Sequence, residues 1–182
     1  LIPPIGGAIS YAIPGYLAPN KVVTEPESLA LLFSGNEANL VFSEKINSRV
    51  ILKGDMHYQE SILYLMTKNN LLFYIWNDRL LSSLVTLVDD LDAYIQRLNT
   101  VHGDGKNRMY DTDKLAFRSL VSLLNPLQMY SVYSLAKDYL IDGNARGRGI
   151  PSIHFSAFNY LPSLGYNLTP FGSEFIFTNY FY

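Results

Sequence analysis

Residues 166–182 read YNLTPFGSEFIFTNYFY and combine seven aromatic side chains with a single charged one, Glu174. Aromatic residues favour strands, and Thr169-Pro170-Phe171-Gly172 carries proline and glycine at the second and fourth positions of a type I turn. The stretch therefore predicts a strand over 163–169, a tight turn and a second strand over 173–182. The chain should end in an antiparallel aromatic hairpin.

The segment from 149 to 182 differs in composition from the rest of the chain. It contains no Lys or Arg, one acidic residue and ten of the chain's 25 aromatic residues. A third strand is predicted over 152–160. A surface this apolar is expected to be buried against other protein subunits or in a membrane. The ten residues assigned to that interface are Phe155, Phe158, Tyr160, Tyr166, Phe171, Phe175, Phe177, Tyr180, Phe181 and Tyr182.

The alternation of side chains within these strands also points to a known class of proteins. Phe175, Phe177 and Phe181 share one strand face with Asn179, and the segment ends on an aromatic residue. In this respect residues 150–182 resemble strands of Gram-negative outer-membrane β-barrel proteins. The resemblance implies a location in the outer membrane or periplasm. Three strands cannot close a barrel, so the chain or its partners must supply more strands, or the sheet lies outside a membrane.

The middle of the chain has a helical period. Apolar residues recur at spacings of three and four from 59 to 99, with a polar break at Lys68-Asn69-Asn70. A hairpin of 61–67 with 71–77 is the competing interpretation. Asp111 or Thr112 is expected to cap a following helix that stops at Leu124, before Pro126. Asn125 should then cap another helix that ends at Gly143.

The N-terminal part of the chain is predicted in three pieces. Residues 1–23 are an apolar arm rich in proline and glycine. Thr24 and Glu27 have capping-box spacing, which starts a short helix that Gly35 can end. The run ANLVFSEKINSRVILK, 38–53, has two β-rich stretches around polar residues and predicts a hairpin.

The fold class is therefore predicted as α+β. A helical middle of two or three helices is flanked by a short N-terminal hairpin and a C-terminal aromatic antiparallel segment. The domain division follows: an extended arm over 1–23, a mainly helical body over 24–143 and the aromatic β segment over 149–182.

Bulk composition limits the classes of partner. The net charge of −2 provides no basic excess, so no nucleic acid partner is expected. Charged residues make up 16 %, against about 25 % in ordinary soluble domains. This deficit favours a chain that hides much of its surface. The absence of cysteine excludes disulfides and thiolate zinc sites.

Two groups of residues are candidates for binding small ions. Arg146 and Arg148 lie in the glycine-rich stretch GNARGRG and could hold a phosphate or carboxylate, although a polar linker is the simpler interpretation. Candidate metal ligands are Asp89 and Asp92, spaced to share a helix face, and Asp104 and Asp111, in a loop of calcium-site length. Neither set has a full ligand pattern, so no metal and no cofactor are expected.

No motif of a catalytic site is present, and no residue is assigned a catalytic role. We therefore expect a non-enzymatic cell-envelope protein, a subunit or fragment of an outer-membrane or membrane-associated assembly that acts by docking and takes part in transport. The alternative is a soluble α+β domain that binds a ligand or a protein. The third interpretation is an enzyme with dispersed residues, using His57 or Asp55 with Arg79.

Overall fold

A computed structural model describes residues 24–81, 90–103 and 110–182, and these residues form a mixed α+β fold. Six α-helices lie in this described part: α1 (Glu25–Lys53), α2 (Tyr58–Lys68), α3 (Asn70–Leu81), α4 (Asp90–His102), α5 (Thr112–Ser119) and α6 (Pro126–Ser134). A 3-10 turn at Leu120–Leu124 follows α5, and a π-helical turn at Leu135–Ile141 follows α6. The strands are β1 (Asp55–His57), β2 (Arg146–Arg148), β3 (Ile153–His154), β4 (Asn159–Thr169) and β5 (Gly172–Phe181).

The hairpin predicted over 38–53 is wrong, because these residues form the second half of helix α1. Their buried side chains include Ser43, Ile46 and Val50, which recur at spacings of three and four. That spacing is a helical period, and the stripe packs into the core. The β-branched residues of 38–53 favour a strand locally, but burial of this stripe outweighs that preference. Gly54, at φ +70°, ends the helix.

The start of α1 agrees with the sequence. Thr24 is the N-cap, and its backbone N–H donates to Glu27 Oε2 at 3.0 Å. The predicted end at Gly35 is wrong, since the helix continues through this glycine. The arm predicted over 1–23 lies outside the described residues.

The predicted break and caps of the helical middle are confirmed. Helix α2 ends at Lys68 and α3 begins at Asn70, so the competing hairpin of 61–67 with 71–77 is wrong. Asp111 caps α5 by accepting from Lys114 N at 2.7 Å. Asn125 caps α6, and Pro126 occupies its first position.

The C-terminal sheet has the order β3-β4-β5, and both pairs are antiparallel. Its register runs from Tyr160 opposite Phe181 to Thr169 opposite Gly172, which confirms the predicted tight turn. The strand predicted over 152–160 is mostly wrong. The N–H of Phe155 donates to the carbonyl of Phe158 at 2.9 Å, so the chain reverses there and leaves β3 only two residues long.

Two hydrophobic clusters place β4 in the centre of the fold. Tyr166 and Leu168 belong to a cluster with residues of α3, α4 and α5, and Leu161 belongs to a second cluster with residues of α1, α2 and α6. Among the described residues, strand β5 pairs with β4 along one side only and is the edge of its sheet. The small sheet of β1 with β2 is separate, with Asp55 opposite Arg148.

Candidate interaction surface

One side of β5 presents a row of phenylalanines to solvent. Phe175, Phe177 and Phe181 are 60 %, 59 % and 65 % exposed. Phe155 and Phe158, beside β3, are also exposed, and the ring of Phe158 lies 5.7 Å from that of Phe181 in an edge-on arrangement. We call these five residues the phenylalanine face. Exposed apolar patches of this kind are typical of binding surfaces.

The other five aromatic residues of the predicted interface lie in different surroundings. Tyr166 is only 5 % exposed and belongs to the chain's own core. Tyr160 and Tyr180 are half-buried, and the hydroxyl of Tyr160 donates to Asn179 at 2.7 Å. Phe171, in the turn, and Tyr182, after β5, are exposed. The structure therefore divides the predicted set between core and surface.

A partly buried charge cluster holds the other face of β5, the one that carries Tyr180, to helices α1 and α2. Lys68 Nζ lies 2.8 Å from Glu44 Oε1, and the Lys68 side chain is only 2 % exposed. The hydroxyl of Tyr180 donates to the other carboxylate oxygen of Glu44, and Asn47 Nδ2 donates to it at 3.3 Å. The cluster connects α1, α2 and β5. The cluster has no signal in the sequence, because its members are far apart in the chain and Glu44 lies in the wrongly predicted hairpin.

The pKa of Glu44 is shifted by this cluster. Burial acts to raise the pKa of the carboxyl, but the Lys68 ammonium and the hydrogen bonds from Lys68, Tyr180 and Asn47 outweigh burial and lower it. The ordinary value is 4.5. A lowered pKa in the folded state adds stability that is present above the unfolded value and is lost as the pH falls through the folded one.

We therefore expect the stability of the protein to fall in acid partly through Glu44. Urea unfolding measured from about pH 6 to about pH 3 should show a steeper loss in the wild type than in Glu44→Gln, whose side chain does not titrate. Glu37→Gln is the matched control on the exposed side of the same helix, and it should follow the wild type. Equal slopes in the wild type and Glu44→Gln would contradict the assignment.

Asn125 connects three parts of the fold behind the same sheet. Its Oδ1 accepts from Leu127 N at 3.0 Å and from Gln128 N at 3.3 Å, as a helix cap does. The same oxygen accepts from the buried hydroxyl of Tyr64 at 3.3 Å. Its Nδ2 donates to Ser163 Oγ at 2.8 Å and to the Leu164 carbonyl at 2.9 Å. The sequence predicted the cap but not the contacts to α2 and β4.

Arg146, one of the two arginines of the predicted anion site, is paired with the chain's own Asp55. Arg146 NH1 lies 2.8 Å from Asp55 Oδ2, and Arg49 NH2 lies 3.6 Å from Asp55 Oδ1. The hydrogen bond from Arg146 is the main cause of the lowered pKa of Asp55. Arg148 lies opposite Asp55 in the β1–β2 register. This arrangement joins the two short strands and pairs the Arg146 guanidinium with a carboxylate.

Of the four candidate metal ligands, the structure describes Asp92 and Asp111. Asp89 and Asp104 lie outside the described residues. Asp92 is in the first turn of α4, and Asp111 caps α5 and pairs with Lys114 at 3.1 Å. Among residues 24–81, 90–103 and 110–182, no three His, Asp or Glu side chains are grouped as a metal ion would require.

The residues of the enzyme interpretation are also engaged elsewhere. His57 Nδ1 accepts from Gln59 N at 3.3 Å and caps α2. Arg79 pairs with Asp113 of α5 at 2.7 Å, whereas Asp55 pairs with Arg146. In the described part of the chain, these three residues have structural partners rather than one another.

Comparison with protein-family models, with curated proteins and with solved structures finds no significant match to this chain. None of the helices within the described ranges is both long and apolar enough to cross a membrane.

Proposed function

We propose that this chain is a non-enzymatic assembly protein that docks onto a protein partner through the phenylalanine face. The observation that carries the proposal is the exposure of Phe175, Phe177 and Phe181 on an edge strand, next to Phe155 and Phe158. No Lys or Arg occurs from 149 to 182, so an apolar partner would bury no basic side chain of this segment when it covers the face.

The expected free energies of association favour a partner that also forms backbone hydrogen bonds with β5. Covering five half-exposed phenylalanine rings contributes on the order of 5 kcal/mol, at about 1 kcal/mol for each ring. Association costs about 4–15 kcal/mol in lost freedom of motion. Burial of the rings alone therefore gives a marginal free energy of association. Backbone hydrogen bonds at the edge of β5 would supply the remainder.

The location and the biological role of this docking are taken from the sequence alone. A location in the cell envelope and a role in transport remain predictions from the composition of the strands. The burial of Tyr166 and Leu168 favours the second candidate, a soluble α+β protein-binding domain, because part of the aromatic hairpin supplies the chain's own core. Both candidates use the phenylalanine face for binding.

A photo-crosslinking phenylalanine analogue tests the face directly. Placed at position 175 in the native cells, it should form one discrete adduct with a protein, because a docked partner covers that ring. The matched control is position 73 on α3, where Phe73 is 56 % exposed and thus equally accessible. The adduct should be missing there. No adduct at 175, or equal adducts at both positions, would refute docking through this face.

A further inference from the structure

The outer edge of β5 has unpaired backbone groups at the residues that carry the exposed phenylalanines. Asn159 and Tyr182 exchange both backbone hydrogen bonds, at 2.7 and 3.1 Å. In an antiparallel ladder such pairs alternate with non-bonded ones, so the even-numbered residues of β5 face β4. The N–H and C=O groups that point outward therefore belong to Ser173, Phe175, Phe177, Asn179 and Phe181.

These outward groups have no hydrogen-bond partner among the described residues. Natural edge strands are usually protected by lysine, proline, a bulge or a covering segment. Strand β5 spans ten residues, contains neither lysine nor proline, and carries Glu174 as its one charge. A long and mostly apolar edge of this kind is a template for another strand.

We propose that a second copy of this chain pairs its β5 antiparallel with this one, about a twofold axis at Phe177. The inference rests on the proposed docking function and names a partner for the edge of β5, beside the phenylalanine face rather than on top of it. In this register Phe177 lies opposite Phe177 of the second copy, Phe175 opposite Asn179, and Ser173 opposite Phe181. Every outward N–H and C=O of the five residues is then paired, and two three-stranded sheets become one continuous sheet of six strands.

The side chains are compatible with this twofold pairing. Glu174 lies opposite the uncharged Tyr180 of the second copy, and the two Glu174 residues are six positions apart, about 20 Å. Like charges therefore do not meet. Phe175 and Phe181 lie next to the smaller Asn179 and Ser173, and the two Phe177 rings meet at the axis. The phenylalanine faces of both copies become one surface, and twofold dimers are the commonest protein oligomers.

The backbone pairing is tested by Asn179→Pro in the full chain, measured by sedimentation equilibrium. The wild type should be a dimer, and the variant should dissociate about 30-fold more readily, because each dimer loses two backbone hydrogen bonds. The outward N–H of Asn179 makes no bond to β4, so proline is tolerated there. Asn179→Ala removes the side chain that Tyr160 contacts but keeps the N–H, and it should dimerise like the wild type.

A charge exchange at the axis tests the register without disturbing the backbone. Phe177→Lys and Phe177→Glu should each be monomeric, because residue 177 meets its own copy, and an equimolar mixture should form a heterodimer. The pairing is overturned by a monomeric wild type, by an unaffected Asn179→Pro dimer, or by a mixture that stays monomeric. If the crosslinked adduct from position 175 has a mass other than twice that of the chain, docking stands and the second copy is the wrong partner.

Discussion

Lys68→Ala is expected to lower the free energy of unfolding by about 3–5 kcal/mol. The Lys68 ammonium is buried and bound to Glu44, so its removal leaves a partly buried carboxylate without its counter-charge. Tyr180 and Asn47 still donate to that carboxylate, but neither supplies a positive charge. Urea unfolding followed by circular dichroism measures the loss.

Two variants separate the charge pair from a general effect of truncating a lysine. Lys45→Ala, an exposed lysine one position from Glu44, should stay within about 0.5 kcal/mol of the wild type. The double variant Lys68→Met with Glu44→Leu should recover most of the loss, because an apolar pair often replaces a buried ion pair at little cost. A loss below about 1 kcal/mol for Lys68→Ala would show that the pair is not structurally important.

Asn125→Leu should cost about 3 kcal/mol or more. Leucine has a similar volume but makes none of the five hydrogen bonds of Asn125, so the N–H groups of Leu127 and Gln128 and the Tyr64 hydroxyl lose their acceptor inside the core. The Leu164 carbonyl also loses a donor. Thermal and urea unfolding should both report the change.

The control for Asn125 is the exposed Asn144 in the turn after the π-helical segment. Asn144→Leu removes the same side chain without breaking a buried network, and we expect a change within about 0.5 kcal/mol. Similar losses in both variants would mean that the interior hydrogen bonds of Asn125 contribute little net stability.

Local chemistry explains the parts of the fold that were predictable. Proline and glycine in Thr169–Gly172 specify a turn, and Asn125 before Pro126 specifies a helix start, whatever the chain does elsewhere. The break at Asn69 is similar, because its side chain donates to the carbonyl of Leu65 at 2.9 Å instead of continuing the apolar stripe. Such signals need only neighbouring residues, and the structure confirms them.

Long-range contacts explain the errors. The run 38–53 has strand-forming residues, but only the tertiary structure shows that Ile46 and Val50 join a cluster with residues of α2, α6 and β4. The ion pair of Lys68 with Glu44 spans two helices and has no local pattern. Burial against distant elements depends on the whole chain, so no window of sequence predicts it.

The sequence by itself determined that the C-terminal segment is an aromatic hairpin with almost no charge. Only the tertiary structure decided which aromatic residues are core and which are surface. Tyr166 and Phe175 lie opposite each other in the register, yet one is 5 % exposed and the other 60 %. The difference arises because helices pack over the central strand β4, whereas β5, in the described part of the chain, is paired along one side only.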